Sequence, residues 1–399
     1  MKTNFGGVPQ ILYQGSGCIK EIPEILKGEH WERVMIVADP GVDKAGMIKQ
    51  FEDILTEAGV PFCKYTDIRP NPRAIDVEEK AMPMFREFKA DVLLAIGGGS
   101  AMDTAKGMAL IGETNLTVKE AMAASPGIHK PMPHKTLPMI AVPTTCGTGS
   151  ECTANAVLSD EVDYKMVPMQ DAILPKYAVC DPDLLATLPQ HVAADTAMDA
   201  YVQAVESYVS KAATPLSELF SMAAIELIAP AIRPYYADRS NPKWADMISK
   251  GCMYAGIAWN LSLPAQIHCS CHAITQYLHI THGASCAILF PAFAEFNGYV
   301  CEEKFRKVYK IMRPGADMSD YRPEWLVEEL KRLNKDLNIM NGETMADVCA
   351  RVLPDENIDD VVRYKIMAPF GEIRPGYPRT TKKEEWIQIM TRVAHGEYM

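Results

Sequence analysis

From about residue 30 to residue 185 the chain alternates short apolar runs rich in β-branched residues with stretches of helical periodicity, the pattern of parallel βαβ units. Arg33-Val34-Met35-Ile36-Val37-Ala38 reads as a buried strand ending in the turn Asp39-Pro40-Gly41, with a returning helix over 42–58. Val92-Leu93-Leu94-Ala95-Ile96 and Pro138-Met139-Ile140-Ala141-Val142 read as two further buried strands, each running into a loop rich in Gly or Thr. Ligands of such sheets bind beyond the carboxyl ends of the strands, so those loops are where cofactor contacts are expected.

Beyond Pro182-Asp183-Leu184-Leu185 strand-like runs nearly vanish. Pro189 opens a long helical stretch, and 216–236 and 325–337 carry apolar positions three and four apart, punctuated by Pro230, Pro234 and Pro323. The predicted architecture is an α/β nucleotide-binding domain over 1–187, with a Rossmann-like parallel sheet, followed by an all-α domain over 188–399.

Composition narrows the class. The 48% hydrophobic and 23% charged fractions are ordinary for a folded globular chain. A balance of 40 basic against 51 acidic residues, net −11, argues against a nucleic-acid surface, which needs a clustered positive field. The start, Met1-Lys2-Thr3-Asn4-Phe5-Gly6-Gly7, has no apolar run after its charge, and no stretch of about 18 uncharged apolar residues follows, so no membrane association and a cytoplasmic location are expected. The 11 cysteines include no Cys-x-x-Cys pair and read as reduced thiols; Cys269 and Cys271, beside a histidine cluster, are left out of the metal shell as small buried hydrophobes.

Two loops offer nucleotide chemistry. Gly97-Gly98-Gly99-Ser100 follows the second strand and precedes Asp103-Thr104-Ala105-Lys106, read as the start of a helix. Glycines let the backbone approach a pyrophosphate, the helix start supplies free N–H groups, and Ser100 adds a hydroxyl. Pro143-Thr144-Thr145-Cys146-Gly147-Thr148-Gly149-Ser150-Glu151 follows the third strand and sets hydroxyls between glycines, an arrangement that serves a capped turn as well as a nucleotide grip. Asp39, just past the first strand, is placed to bond an adenosine ribose and repel a 2′-phosphate, which favours NAD over NADP, and it is equally a common turn residue.

Four of the nine histidines, His268, His272, His279 and His282, fall within fifteen residues. His268 and His272 are one helical turn apart and share a face, as do Asp199 and Gln203 on the helix after Pro189. His282 precedes Gly283 in what reads as a turn or helix start. Two helices thus offer one carboxylate and two imidazoles to one cation, a mixed set suited to ferrous iron, zinc, manganese or cobalt rather than magnesium or calcium.

In order and spacing, Gly97-Gly98-Gly99-Ser100…Asp103…Lys106, the 143–151 loop, Asp199 and His268-x-x-x-His272-x9-His282-Gly283 resemble the iron-containing (group III) alcohol dehydrogenase family across nearly the whole chain. The resemblance implies a dinucleotide-binding domain and a helical domain with the active site in the cleft between them, on a scaffold related to that of dehydroquinate synthase. It implies Asp199, His268 and His282 as metal ligands, with His272 in the active site without being a principal ligand; an imidazole there is the candidate for relaying a proton to solvent. It further implies cofactor contacts from Asp39, Asn71 of the Pro70-Asn71-Pro72 turn, Gly98, Gly99, Ser100 and Asp103. Thr144, Thr145, Thr148 and Lys165 complete that set. Where many members of the family have a histidine four residues after the aspartate, this chain has Gln203, a neutral and weaker ligand whose place in the shell is open.

The expected activity is NAD(H)- and metal-dependent oxidation of a short alcohol or reduction of a short aldehyde. Linear aldehydes, diols and aldehydes with an anionic tail such as a sulfonate are all admissible substrates. A glycerol-type polyol dehydrogenase and a catalytically silent nucleotide-binding homologue are the alternatives. Ferrous iron leads as the metal, with zinc or manganese next, and a homo-oligomer, a dimer or larger, is expected for an enzyme of this size.

Overall fold

The computed structural model describes residues 11–127, 130–160, 165–263, 265–372 and 374–399, and for Lys165 the backbone alone. The described chain forms two compact units that divide after Ala186.

The first unit is built on a six-stranded sheet, every pairing of which is parallel. Its strands are β1 (Ile11–Gln14), β2 (Val34–Ala38), β3 (Phe62–Tyr65), β4 (Val92–Gly97), β5 (Met139–Pro143) and β8 (Tyr177–Cys180), in the order β1-β8-β5-β4-β2-β3. A small antiparallel ribbon pairs β6 (Leu158–Ser159) with β7 (Lys165–Met166). β2, β4 and β8 are buried throughout, as a parallel sheet covered on both faces requires. Alternation along the strands divides the core in two. Met35, Val37, Leu93 and Ala95 pack with the Gly99–Ile111 helix on one face, while Val34, Ile36, Leu94 and Ile96 pack with the Met47–Glu57 helix on the other.

The helices that follow β2 and β4 therefore leave on opposite sides of the sheet. The chain order reverses between these adjacent strands, which makes the loops after them the walls of a crevice at the carboxyl edge. The single helix predicted over 42–58 is instead two, Pro40–Lys44 and Met47–Glu57, because Gly46 takes a left-handed conformation (φ 73°) that interrupts the ladder. The helix predicted to start at Asp103 begins at Gly99, so the last glycine and Ser100 form its first turn.

Every named element of the second unit, among the described residues, is helical. Gln190–Val209 is its central helix, buried along most of its length and packed against Pro215–Ala237, Pro242–Asn260 and His282–Asn297. Pro230 and Pro234 lie inside the Pro215–Ala237 helix rather than ending it, and Pro323 opens a helix at its first position. Pro215–Ala237 is long and apolar enough to cross a membrane by length and composition alone. It nevertheless carries Glu218, Glu226 and Arg233 and packs against Gln190–Val209, Pro242–Asn260 and Glu302–Met312. All eleven cysteines are free thiols.

Candidate metal centre and cofactor loops

In the first unit the three glycines after β4 are packed against the residues that the sequence places around them. A Cβ on Gly97 (φ 149°) would lie 2.7 Å from Asp39 Oδ2, one on Gly98 3.1 Å from Thr145 Cγ2, and one on Gly99 2.9 Å from Thr148 Cγ2. Any larger side chain would push these groups aside, so Asp39, the glycine loop and the threonine loop close around one spot at the switch point. Thr144 is buried and its N–H donates to Gly97 O at 3.0 Å, which locks the two loops in register. Asp39 Oδ1 caps the Pro40–Lys44 helix, accepting from the N–H groups of Gly41 and Val42 at 3.0 and 3.1 Å. Ser100 lies in the first helical turn, where N–H groups have no partner within the helix.

Asp103 and Lys106 stand behind this surface. Lys106 is fully buried, and its ammonium donates to Ser150 Oγ at 2.8 Å, Thr153 Oγ1 at 3.0 Å and Asn155 O at 2.8 Å. Ser150 Oγ in turn donates to Asp103 Oδ1 at 3.4 Å. The pair braces the second loop from beneath. Burial lowers the Lys106 pKa to about 8 and raises that of the neighbouring Glu151 to about 7. Asn71 is exposed in the left-handed conformation (φ 57°). Its turn is tied to the small ribbon by a Ser159 N–H to Pro72 O bond of 2.8 Å, and Ser159 pairs with Lys165, whose side chain lies outside the described ones.

In the second unit the predicted triad converges. Asp199 Oδ1 lies 3.4 Å from His268 Nε2 and 3.6 Å from His282 Nε2. Ligand atoms about 2.0–2.2 Å from a tetrahedral ion are roughly 3.3–3.6 Å apart, so Asp199 stands at coordination spacing from both imidazoles. The local sequence produces this arrangement. Asp199 is buried on the central helix, and His268 sits in the first turn of Gln266–Leu278. His282 opens the next helix, whose cap Thr281 also donates to Asp195 Oδ2 at 2.6 Å, one turn before Asp199. Gly283 lets the two backbones meet there.

The electrostatics favour a positive charge at this point. Burial opposes the charge on Asp199, but His282 and His268 outweigh it and hold the carboxyl below its usual range. Burial likewise opposes charge on His268 and His282, yet Asp199 and Glu206 raise the first well above the ordinary imidazole value. Cys271 and Asp199 raise the second to about 9. A divalent cation suits the same donors, and the residues present fit one.

Residues 9–182 match the iron-containing alcohol dehydrogenase family, and residues 193–393 match the C-terminal part of the same family. The chain belongs to the iron-containing alcohol dehydrogenase family. It is therefore an oxidoreductase acting on CH–OH groups. It is 31% identical over 333 residues to a long-chain-alcohol dehydrogenase of Geobacillus thermodenitrificans, a match spanning 83% of each protein. It is 28% identical over 345 residues to an NAD-dependent methanol dehydrogenase of Bacillus methanolicus, covering 85% of this chain and 88% of that one. Among solved structures, an alcohol dehydrogenase from Oenococcus oeni superimposes with a TM-score of 0.83 at 28% identity, over 98% of this chain and all of that one.

Around the triad of this family member, Glu206 and Cys286 escaped the sequence reading, and Cys271, read there as a small buried hydrophobe, lies against a triad imidazole. Glu206 is fully buried; its Oε2 lies 2.6 Å from His268 Nδ1 and its Oε1 accepts the Ile267 N–H at 2.8 Å. A carboxylate there keeps the proton of His268 on Nδ1 and leaves the Nε2 lone pair facing Asp199. Cys271 Sγ stands against the His282 ring, 3.5 Å from Nδ1 and 3.9 Å from Nε2. Cys286, fully buried, puts Sγ 3.7 Å from Asp199 Oδ1 and 4.0 Å from His268 Nε2. The signals existed: Asp195, Asp199, Gln203 and Glu206 form a polar stripe on an otherwise apolar helix, and Cys286 lies one turn after His282. His272 is half-exposed, with its ring centroid 5.2 Å from that of His282, and Gln203 is buried one turn from Asp199.

Proposed function

We propose that the chain is an NAD(H)-dependent and metal-dependent alcohol dehydrogenase, or aldehyde reductase, acting on a short-chain alcohol or aldehyde. The observation that carries the reading is the coordination spacing of Asp199 from His268 and His282, with His268 backed on its far nitrogen by Glu206. NAD is supported by the glycine loop closed against Asp39, Thr145 and Thr148, and by the NAD dependence in the name of the Bacillus methanolicus relative. Asn71, Ser100, Asp103, Thr144 and Lys165 belong to the same cofactor surface in this reading, Asp103 by bracing it rather than by touching the nucleotide.

When bound, the cation supplies Lewis-acid polarisation of the substrate oxygen, and the nicotinamide supplies or accepts the hydride. The protein's own part is holding charge and moving a proton. Asp199 contributes the negative charge of the site, and Glu206 keeps His268 in the tautomer whose Nε2 is free. His272, half-exposed beside His282, carries the hydroxyl proton between substrate and solvent on its imidazole. Purified protein loaded in turn with ferrous iron, zinc or manganese, and assayed with NAD(H) against short neutral and anionic aldehydes and alcohols, tests the reading. Metal-replete protein that turns over none of them sinks it.

A further inference from the structure

Resting on the proposed metal site, we infer that its fourth protein donor is the thiolate of Cys286 and not the amide of Gln203. Cys286 follows His282 by four residues on one helix, so both side chains leave the same face. A thiolate about 2.3 Å from a tetrahedral ion and an oxygen or nitrogen ligand about 2.1 Å from it lie roughly 3.6 Å apart. Cys286 Sγ is 3.7 Å from Asp199 Oδ1 and 4.0 Å from His268 Nε2, and the four donor atoms all fall within 4.8 Å of one another.

The other thiol of the region does not take this place. Cys271 Sγ lies against the His282 ring, 3.5 Å from Nδ1 and 3.9 Å from Nε2, and it clusters with His272 and His282, whereas Cys286 clusters with Asp199, His268 and His282. Gln203 brings only a neutral oxygen, whereas a coordinating thiol gives up its proton to solvent and adds a full negative charge. A carboxylate, two imidazoles and a thiolate form a softer set than carboxylate and imidazoles alone. The site therefore prefers zinc or cobalt to manganese.

Full-length protein stripped of metal and titrated with cobalt(II) tests the inference. The wild-type protein, Cys271→Ser and Gln203→Ala should show the near-ultraviolet band of thiolate-to-cobalt charge transfer, and Cys286→Ser should lack it. Cys286→Ser should also weaken cobalt and zinc binding beyond the roughly 10–100-fold typical of losing an outer partner, while manganese binding changes much less. X-ray absorption of the zinc-loaded wild-type protein needs no variant, and it should find one sulfur among the nearest neighbours. A band that survives Cys286→Ser, or bound zinc with no sulfur neighbour, overturns the inference while leaving the triad standing. Cobalt binding that is indifferent to Asp199→Ala and His268→Ala overturns the metal site itself and the inference with it.

Discussion

Gly283 rests directly on the backbone of Asp195: a Cβ there would lie 2.0 Å from the Asp195 carbonyl oxygen and 2.4 Å from its carbonyl carbon. The obstacle is backbone, which cannot turn aside as a side chain can. His282 is the neighbour of Gly283, and Asp199 is one turn from Asp195, so this contact sets the 3.6 Å between His282 Nε2 and Asp199 Oδ1. Gly283→Ala should push the two helices apart. The expected results are an overpacking cost of about 1–3 kcal/mol in the urea midpoint and a loss of metal affinity of at least roughly tenfold by calorimetry. Gly251→Ala is the control, because its Cβ would meet Ile228 Cγ1 at 2.4 Å in the same helical unit. It should cost stability without touching metal affinity.

Glu206 offers a sharper test, since its two oxygens face two different groups. In Glu206→Gln the amide nitrogen must point at the Ile267 N–H, a clash of donors, or at His268 Nδ1. The second choice forces the imidazole proton onto Nε2, where it blocks the lone pair that faces Asp199. Zinc affinity measured against a competing chelator should fall by roughly 10–100-fold with the far-ultraviolet spectrum unchanged. An unchanged affinity would mean that Glu206 does not set the tautomer.

Much of this was legible in advance. The apolar runs of β2, β4 and β5 are continuous because both faces of a parallel sheet are covered, and their loops follow from where the runs stop. The residues of the candidate triad stood out locally, by a helical repeat at His268 and His272, a helix start at His282 and a carboxylate on a long helix, and the family resemblance chose among them. What escaped depends on contacts between distant segments. Glu206 is 62 residues from His268, and no pattern around either one names the other. Cys286 was hidden by composition, because a buried cysteine in an apolar helix looks like core. The break at Gly46 was missed because apolar periodicity runs on through a residue whose backbone leaves the helix.

A pH dependence follows from Glu29, at the end of the Ile22–Glu29 helix. Its carboxylate pairs with Lys176 and accepts the Tyr177 hydroxyl at 2.5 Å, and these bonds hold its pKa below the ordinary carboxylate value of 4.5. A depressed folded pKa means stability present above the unfolded value and lost as pH falls through the folded one. Glu29→Gln should therefore cost about 1 kcal/mol near neutrality, by urea unfolding, and the gap to wild type should close as the pH drops below the carboxylate range. A gap that is constant with pH would assign the effect to packing.

Asp39 serves two ends of one carboxylate, and the two can be separated. Oδ1 caps the Pro40–Lys44 helix, while Oδ2 lies against the glycine loop, 2.7 Å from where a Gly97 Cβ would stand. Asparagine keeps an oxygen for the cap and removes the charge that would repel a 2′-phosphate. Asp39→Asn should raise the kcat/KM for NADP relative to NAD on the order of tenfold, the change that about 1.4 kcal/mol of relieved repulsion produces. Its stability should stay within about 0.5 kcal/mol of wild type. Asp39→Ala removes charge and cap together, so it should shift cofactor preference as far and also lose about 1 kcal/mol of stability. If Asp39→Asn leaves the cofactor ratio unchanged while Asp39→Ala destabilises, the residue is a helix cap and the preference for NAD is set elsewhere.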